Sequence, residues 1–175
     1  MRKLKLDELN RIGVDEFQST PKYPVVVVLD NIRSGVNVGS FFRTADAFLI
    51  EKLCLCGFTP HPPHKEIFKT AIGAHESVKW ESWDNTVDCA IDLKSKGYLC
   101  VGIEQTSQSQ FLHQRSPMQQ PVAVFFGNEV HGLSEDLLPL LDTVWEIPQF
   151  GTKHSLNVSI TGGIVLWDII RELNA

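Results

Sequence analysis

The chain has 175 residues, 43% of them hydrophobic and 21% charged, and carries a formal net charge of −5. That length and apolar fraction suit one globular domain with its own core, and the acidic balance excludes a generally cationic nucleic-acid coat, leaving room only for a local basic patch. Apolar runs are short and broken by charge, and Met1-Arg2-Lys3-Leu4-Lys5 leads into mixed polar sequence, so the expectation is a cytoplasmic protein with no membrane span.

Residues 3–11 carry the pattern of a short amphipathic helix, and Gly13 to Pro24 reads as a connector, so that 1–23 precede a main domain over 24–175. Val25 to Leu29 are five apolar residues, four of them β-branched, as expected of a strand buried on both faces of a parallel sheet. The next turn holds Asn31, Arg33, Ser34, Gly35 and Asn37. A helix with apolar Val38, Phe41, Phe42, Ala45, Phe48 and Leu49 follows, with Arg43 inside it. Two readings of this turn compete. Ligands bind at the carboxyl ends of strands in open α/β sheets, which would put Arg43 at a site; alternatively Asn37 caps the helix and Arg43 pairs with Asp46 on a solvated face.

Lys52 to Cys56 is the next strand candidate. Gly57 to Lys65, with three prolines and two histidines, reads as an exposed loop, and with Lys69 and His75 it forms either an RNA-facing edge or an ordinary solvated loop and helix. His61, His64 and His75 lack a recurring metal-ligand spacing, so no metal is expected. Further strands are expected at Ser77 to Trp80 and Tyr98 to Ile103. Cys54, Cys56, Cys89 and Cys100 lack CxxC spacing and read as reduced core residues.

Val122 to Phe126 is a second buried run, ending in Gly127-Asn128-Glu129-Val130-His131-Gly132-Leu133-Ser134. Its glycines allow close approach to a ligand, Ser134 followed by Glu135 and Asp136 reads as a helix cap, and Glu129 is either a ligand-facing carboxylate or a solvated one. Thr143 to Ile147 is the last strand candidate. Pro148 to Ser159 then lead into a helix reaching about Leu173, with Ser155 a candidate cap. That helix is apolar on more than one face, hence deeply buried or shared with a second copy, and a homodimer is inferred. Strands alternating with helices make this an α/β fold, a mostly parallel sheet flanked by helices. A G-x-G-x-x-G fingerprint and a P-loop are both missing after the first strand, which disfavours a Rossmann dehydrogenase or an NTPase.

Asn37-Val38-Gly39 with Arg43-Thr44-Ala45, Gly127-Asn128-Glu129 with Gly132-Leu133-Ser134, and Ile147-Pro148 with Ser155-Leu156-Asn157-Val158-Ser159 together resemble the three ordered motifs of the SpoU (TrmH) family, RNA ribose 2′-O-methyltransferases of the SPOUT superfamily. The segment Lys69 to Glu76 is also similar to one between the family's first two motifs. The resemblance covers about Pro24 to Leu173. It implies a deep C-terminal trefoil knot, S-adenosylmethionine as cofactor, and a homodimer that builds the active sites. Carried over by position, Arg43 matches the catalytic arginine and Asn37, Glu129, Ser155 and Asn157 match further active-site positions. Cofactor contacts are implied near Ile103, Gly127, Ile147, Pro148 and Leu156.

The implied reaction moves a methyl group from a sulfonium to a ribose 2′-oxygen of tRNA or rRNA. Guanidinium stays protonated, with a pKa above about 12, so Arg43 is expected to align the phosphate and ribose and to stabilise the developing alkoxide rather than act as a base. Glu129 is expected to orient Arg43 or the cofactor, and Asn37, Ser155 and Asn157 to fix the ribose and phosphate or support the loop. Arg33, Lys65, Lys69 and Lys153 are the candidate phosphate contacts. The alternative is a SPOUT-fold RNA-binding protein without turnover; the motif residues retained at all three turns argue against it.

Overall fold

The computed structural model describes residues 1–174, the Leu6 side chain excepted, so the expected domain end at Ala175 lies outside the described residues. Seven strands form one sheet in the order β3-β2-β1-β6-β4-β7-β5, every pairing parallel: β1 (Tyr23–Asp30), β2 (Ile50–Cys56), β3 (Trp80–Trp83), β4 (Leu99–Ile103), β5 (Gln110–Phe111), β6 (Val122–Phe126) and β7 (Thr143–Glu146). From β1 the chain runs outward through β2 and β3, then crosses to β4, and β6 later inserts between β1 and β4. The turns after β1, β4, β6 and β7 therefore converge at one edge of the layer, the place where such sheets bind ligands.

Residues Val25 to Leu29 have no exposed surface, as their unbroken apolar run requires of a central parallel strand. Alternate residues point to opposite faces. Val25, Val27 and Leu29 meet α2 (Gly35–Ala47) and α6 (Val158–Leu173), whereas Val26 and Val28 pack with Cys54, Cys56 and Cys100 against Cys89, Ala90 and Leu93 of α5 (Thr86–Ser95). All four cysteines are free and buried. A hydrogen bond with Cys89 and burial push the Cys54 thiol up, and burial takes Cys100 to about 11, so these thiols stay protonated and inert, as expected of reduced core residues.

The structure moves two elements from their expected places and adds a short strand. The helix expected over 3–11 is only a short 3-10 turn at Leu6–Leu9, stopped by Asn10 in the left-handed region, and the real helix α1 (Val14–Ser19) lies in the expected connector and buries Phe17. The strand expected at Ser77 to Trp80 starts at Trp80, because Ser77 closes the short helix α4 (Ala74–Ser77), its hydroxyl bonded to Asp46 Oδ1 at 2.6 Å and to the Ala74 carbonyl at 3.1 Å. Two-residue β5 is too short to leave a periodic signal. Helix α3 (Lys65–Ala71) packs so closely on α2 that a Cβ at Gly39 would collide with the Thr70 hydroxyl and the Ile67 carbonyl. Gly39 thus serves helix packing rather than a tight turn.

Candidate active site

The start of α2 is the centre of a hydrogen-bonded junction between three turns. Ser34, not Asn37, is the N-cap: its Oγ accepts from the Asn37 N–H at 3.3 Å. Glu129, from the turn after β6, sets its carboxylate over the same helix end, where unpaired amides and the helix dipole favour negative charge. One carboxylate oxygen accepts from Arg33 N–H at 2.9 Å, and the other from Ser34 N–H at 3.2 Å and from Asn37 Nδ2 at 2.9 Å. Burial alone would raise the Glu129 pKa. The hydrogen bonds from Arg33, Asn37 and Ser34 outweigh it and hold the group below its ordinary value.

The third turn joins through Asn157, which caps α6 by accepting from Ser159 N–H at 2.9 Å and Ile160 N–H at 3.4 Å. Asn157 Nδ2 donates to Asn37 Oδ1 at 3.2 Å, and the Ser159 hydroxyl lies 3.4 Å from the same oxygen. Asn37 therefore donates to the second motif and accepts from the third, which fixes the orientation of its amide. Asn157 takes the capping role expected of Ser155.

The turn after β6 is held from both sides. Fully buried Asp30, at the end of β1, accepts from Ser134 N–H at 2.7 Å, the Ser134 hydroxyl at 3.0 Å and Thr86 Oγ1 at 2.5 Å. Glu104, following β4, accepts from Leu133 N–H at 3.1 Å. Asn128 and Gly132 exchange backbone hydrogen bonds of 2.9 Å each, and a Cβ at Gly127 would strike the Gly132 and Leu133 backbone. Gly127 is thus required by the turn folding onto itself, and the Ser134 hydroxyl braces Asp30 instead of capping a helix.

These turns enclose a cavity of about 570 Å³ lined by Ile103, Glu104, Gly127 to Leu133, Glu146, Ile147, Ser155 and Leu156, among others. Of the positions at which cofactor contacts are expected, Ile103, Gly127, Ile147 and Leu156 line it and Pro148 does not, although its neighbours Ile147 and Gln149 do. Glu104, Glu129, Glu135 and Glu146 contribute carboxylates, and among the described residues no lysine or arginine lines the space. Apolar walls, carboxylates and this volume suit a cationic ligand of nucleoside size and disfavour a phosphate-bearing nucleotide. Glu104 and Glu146 were not singled out by sequence reasoning. Glu104 immediately follows the buried strand ending at Ile103, a position at a strand's carboxyl end that could have flagged it.

Arg43 does not line that cavity. It is exposed on α2, six residues beyond Asn37, and borders a groove of about 700 Å³ with Ser159, Ile160, Gly163 and Trp167 of α6. Among the described residues Arg43 makes no hydrogen bond or ion pair. Asp46 accepts from Ser77 rather than pairing with Arg43, and Glu129, expected to orient Arg43 or the cofactor, makes no bond to Arg43 but sits on the α2 terminus, where it also lines the cavity. Arg33, Lys65, Lys69 and Lys153 are all exposed, with Lys65 and Lys69 one turn apart on α3, and none lines the cavity or the groove. His61 stacks on Trp80 and the His75 ring lies tilted against Phe68, with ring centroids 5.7 and 4.4 Å apart, and among the described residues no cluster of histidine, cysteine or carboxylate side chains could hold a metal.

The sequence pattern of the SpoU rRNA methylase family matches residues 24–167, a span holding all three turns. The chain belongs to this family. Among relatives of this SpoU-family chain is the 23S rRNA (guanosine-2′-O-)-methyltransferase RlmB of Neisseria meningitidis, 28% identical over 158 residues, which are 90% of this chain and 62% of the relative. A tRNA (guanosine(18)-2′-O)-methyltransferase from Aquifex aeolicus is 28% identical over 85% of this chain and 69% of its own length. The crystal structure of an AdoMet-bound rRNA methyltransferase from Sinorhizobium meliloti superposes with a TM-score of 0.81 at 27% identity, covering 93% of this chain and 61% of that one. The chain spans about 62% to 66% of the length of several such relatives.

Proposed function

We propose that this protein transfers a methyl group from S-adenosylmethionine to a ribose 2′-hydroxyl of tRNA or rRNA. The observation that carries this reading is the three-turn junction through Asn37, beside a carboxylate-lined cavity free of lysine and arginine, within a chain of the SpoU family. Similar proteins named as guanosine 2′-O-methyltransferases and an AdoMet-bound structure support it.

When bound, S-adenosylmethionine supplies a sulfonium-activated methyl group. The apolar side chains of Ile103, Ile147 and Leu156 would hold its adenine, and carboxylates of Glu104 and Glu146 would meet its hydroxyls or positive groups. Ser155, which makes no side-chain hydrogen bond among the described residues, is free to donate to RNA. Asn37, Glu129 and Asn157 position the turns. Arg43 aligns the target phosphate and ribose with its fork of N–H groups and stabilises the 2′-oxygen as its proton leaves to a phosphate oxygen or water. Arg33, Lys65, Lys69 and Lys153 would grip flanking phosphates.

The apolar rim of the Arg43 groove, where Ile160 and Trp167 are each 57% exposed, supports a homodimer in which a second copy brings its cofactor cavity to Arg43. Insertion of β6 between β1 and β4, with the turns after β6 and β7 sharing one cavity, is compatible with the deep trefoil knot implied by the family. The proposed domain division at residue 24 coincides with the start of the family match. A cytoplasmic site of action goes with RNA as the substrate; among the described residues no helix is long and apolar enough to cross a membrane.

Methyl transfer from labelled S-adenosylmethionine to total RNA, followed by nucleoside mapping, tests this function. Label in a 2′-O-methylnucleoside is expected. Label in a base-methylated nucleoside would reject ribose chemistry.

A further inference from the structure

Arg43 also borders a separate cavity of about 330 Å³ built from α1, α2 and the segment around α4. Val14 and Phe17 supply one apolar wall and Ile72 another. Ile72 is 68% exposed and sits at φ +50° and ψ +47°, a left-handed conformation that a β-branched residue rarely adopts. An exposed apolar side chain held at such a cost beside Arg43 calls for a ligand face to cover it.

The polar side of the cavity is acidic. Asp46 Oδ1 accepts from the Ser77 hydroxyl at 2.6 Å, which orients the carboxylate and leaves Oδ2 without a hydrogen-bond partner among the described residues. Glu76 has a side chain 68% exposed, and its Oε1 lies 3.7 Å from Nε2 of the His75 ring. Among the described residues Arg43 is the only arginine or lysine on the lining.

We propose that this cavity receives the base of the target nucleotide and that Asp46 and Glu76 select guanine. The proposal rests on Arg43 meeting the target ribose, since a base then lies one nucleoside length away. Ionised carboxylates only accept hydrogen bonds. Guanine alone among the four RNA bases presents adjacent N–H donors, N1–H and the 2-amino group, on one edge. Adenine and cytosine place a ring acceptor beside a single amine, and uracil flanks one N–H with two carbonyls. Any of these would set an acceptor against a carboxylate oxygen, a repulsion that rejects as well as a missing bond does. Phe17, Val14 and Ile72 would cover the faces of the ring. Guanosine is also the nucleoside in the names of the Neisseria and Aquifex relatives.

The test compares binding of GMP, IMP and AMP by saturation-transfer NMR, with S-adenosylmethionine affinity measured by calorimetry on the same samples. GMP should bind, IMP, which lacks only the 2-amino group, should bind about tenfold more weakly, and AMP more weakly still. Asp46→Asn, whose oxygen can still accept from Ser77, and Glu76→Gln should each weaken GMP about tenfold and leave cofactor affinity unchanged. Equal binding of AMP and GMP, no GMP binding, or GMP binding untouched in both variants would overturn the proposal. In nucleoside mapping the product should be 2′-O-methylguanosine. A different 2′-O-methylnucleoside would reject guanine selection while leaving the methyltransferase function intact, whereas failure of the wild-type protein to bind S-adenosylmethionine would count against that function instead.

Discussion

The two ends of the first motif are built in opposite ways. Asn37 is buried and has every polar atom engaged, linked to Glu129 on one side and Asn157 on the other. Arg43, less than two turns along the same helix, is exposed and free of partners among the described residues. The contrast separates preparation from reaction. In the proposed reaction the Asn37 end has assembled three turns beside the cavity before any ligand arrives, while the Arg43 end offers an unengaged guanidinium fork to the substrate.

The contrast is broken most severely at Arg43. Arg43→Ala should lose about 10²- to 10³-fold in turnover, as removal of a charge-stabilising donor does, with stability within about 0.5 kcal/mol of the wild type. Steady-state methyl transfer and thermal denaturation together check this. Asn37→Ala should behave in the opposite sense. It strips one donor from Glu129 and leaves Asn157 Nδ2 without its acceptor, so a loss of about 2 kcal/mol in chemical denaturation is expected, with weaker cofactor binding.

Glu129→Gln sharpens the same side of the comparison. It should cost about 1 kcal/mol at neutral pH. The folded-state pKa of Glu129 is depressed, so its contribution to stability is complete above the unfolded value near 4.5 and fades as pH falls through the lower folded value. Denaturation midpoints across that acid range should converge for wild type and Glu129→Gln. The smallest effect is expected at Ile72→Gly, which relieves a left-handed β-branched residue while giving up little buried surface and adding freedom to the unfolded chain. A net gain of about 0.5 to 1 kcal/mol in stability should accompany weaker GMP binding.

Much of the scaffold was legible in the sequence, because Val25 to Leu29 and Val122 to Phe126 are short, uninterrupted apolar runs rich in β-branched or aromatic residues, as strands buried on both faces of a parallel sheet are. The polar turns after them pointed to the candidate site because they lie at the carboxyl ends of parallel strands. Less legible were features set by distant partners. Nothing local to Glu129 says that its carboxylate will sit on the amides of Arg33 and Ser34, nearly a hundred positions earlier, or that Gly127 is small because Gly132 folds back on it. Ser34 and Asn37 are both good caps, and choosing between them needed the donor that Asn37 gives to Glu129. The N-terminal helix was misplaced because local periodicity over 3–11 carries no sign of tertiary packing, whereas Phe17, in the expected connector, buries its ring against the core. The cavity around Asp46 and Glu76 was invisible, since its walls come from three separate segments.

The division between a prepared half and a reacting half is tested most directly by measuring cofactor affinity and single-turnover methyl transfer side by side for Arg43→Lys and Asn37→Ala. Arg43→Lys keeps the charge but loses the planar fork, so it should bind S-adenosylmethionine as the wild type does and transfer methyl far more slowly, while Asn37→Ala should lose affinity first. Wild-type transfer by Arg43→Lys, or intact cofactor binding in Asn37→Ala, would contradict the account.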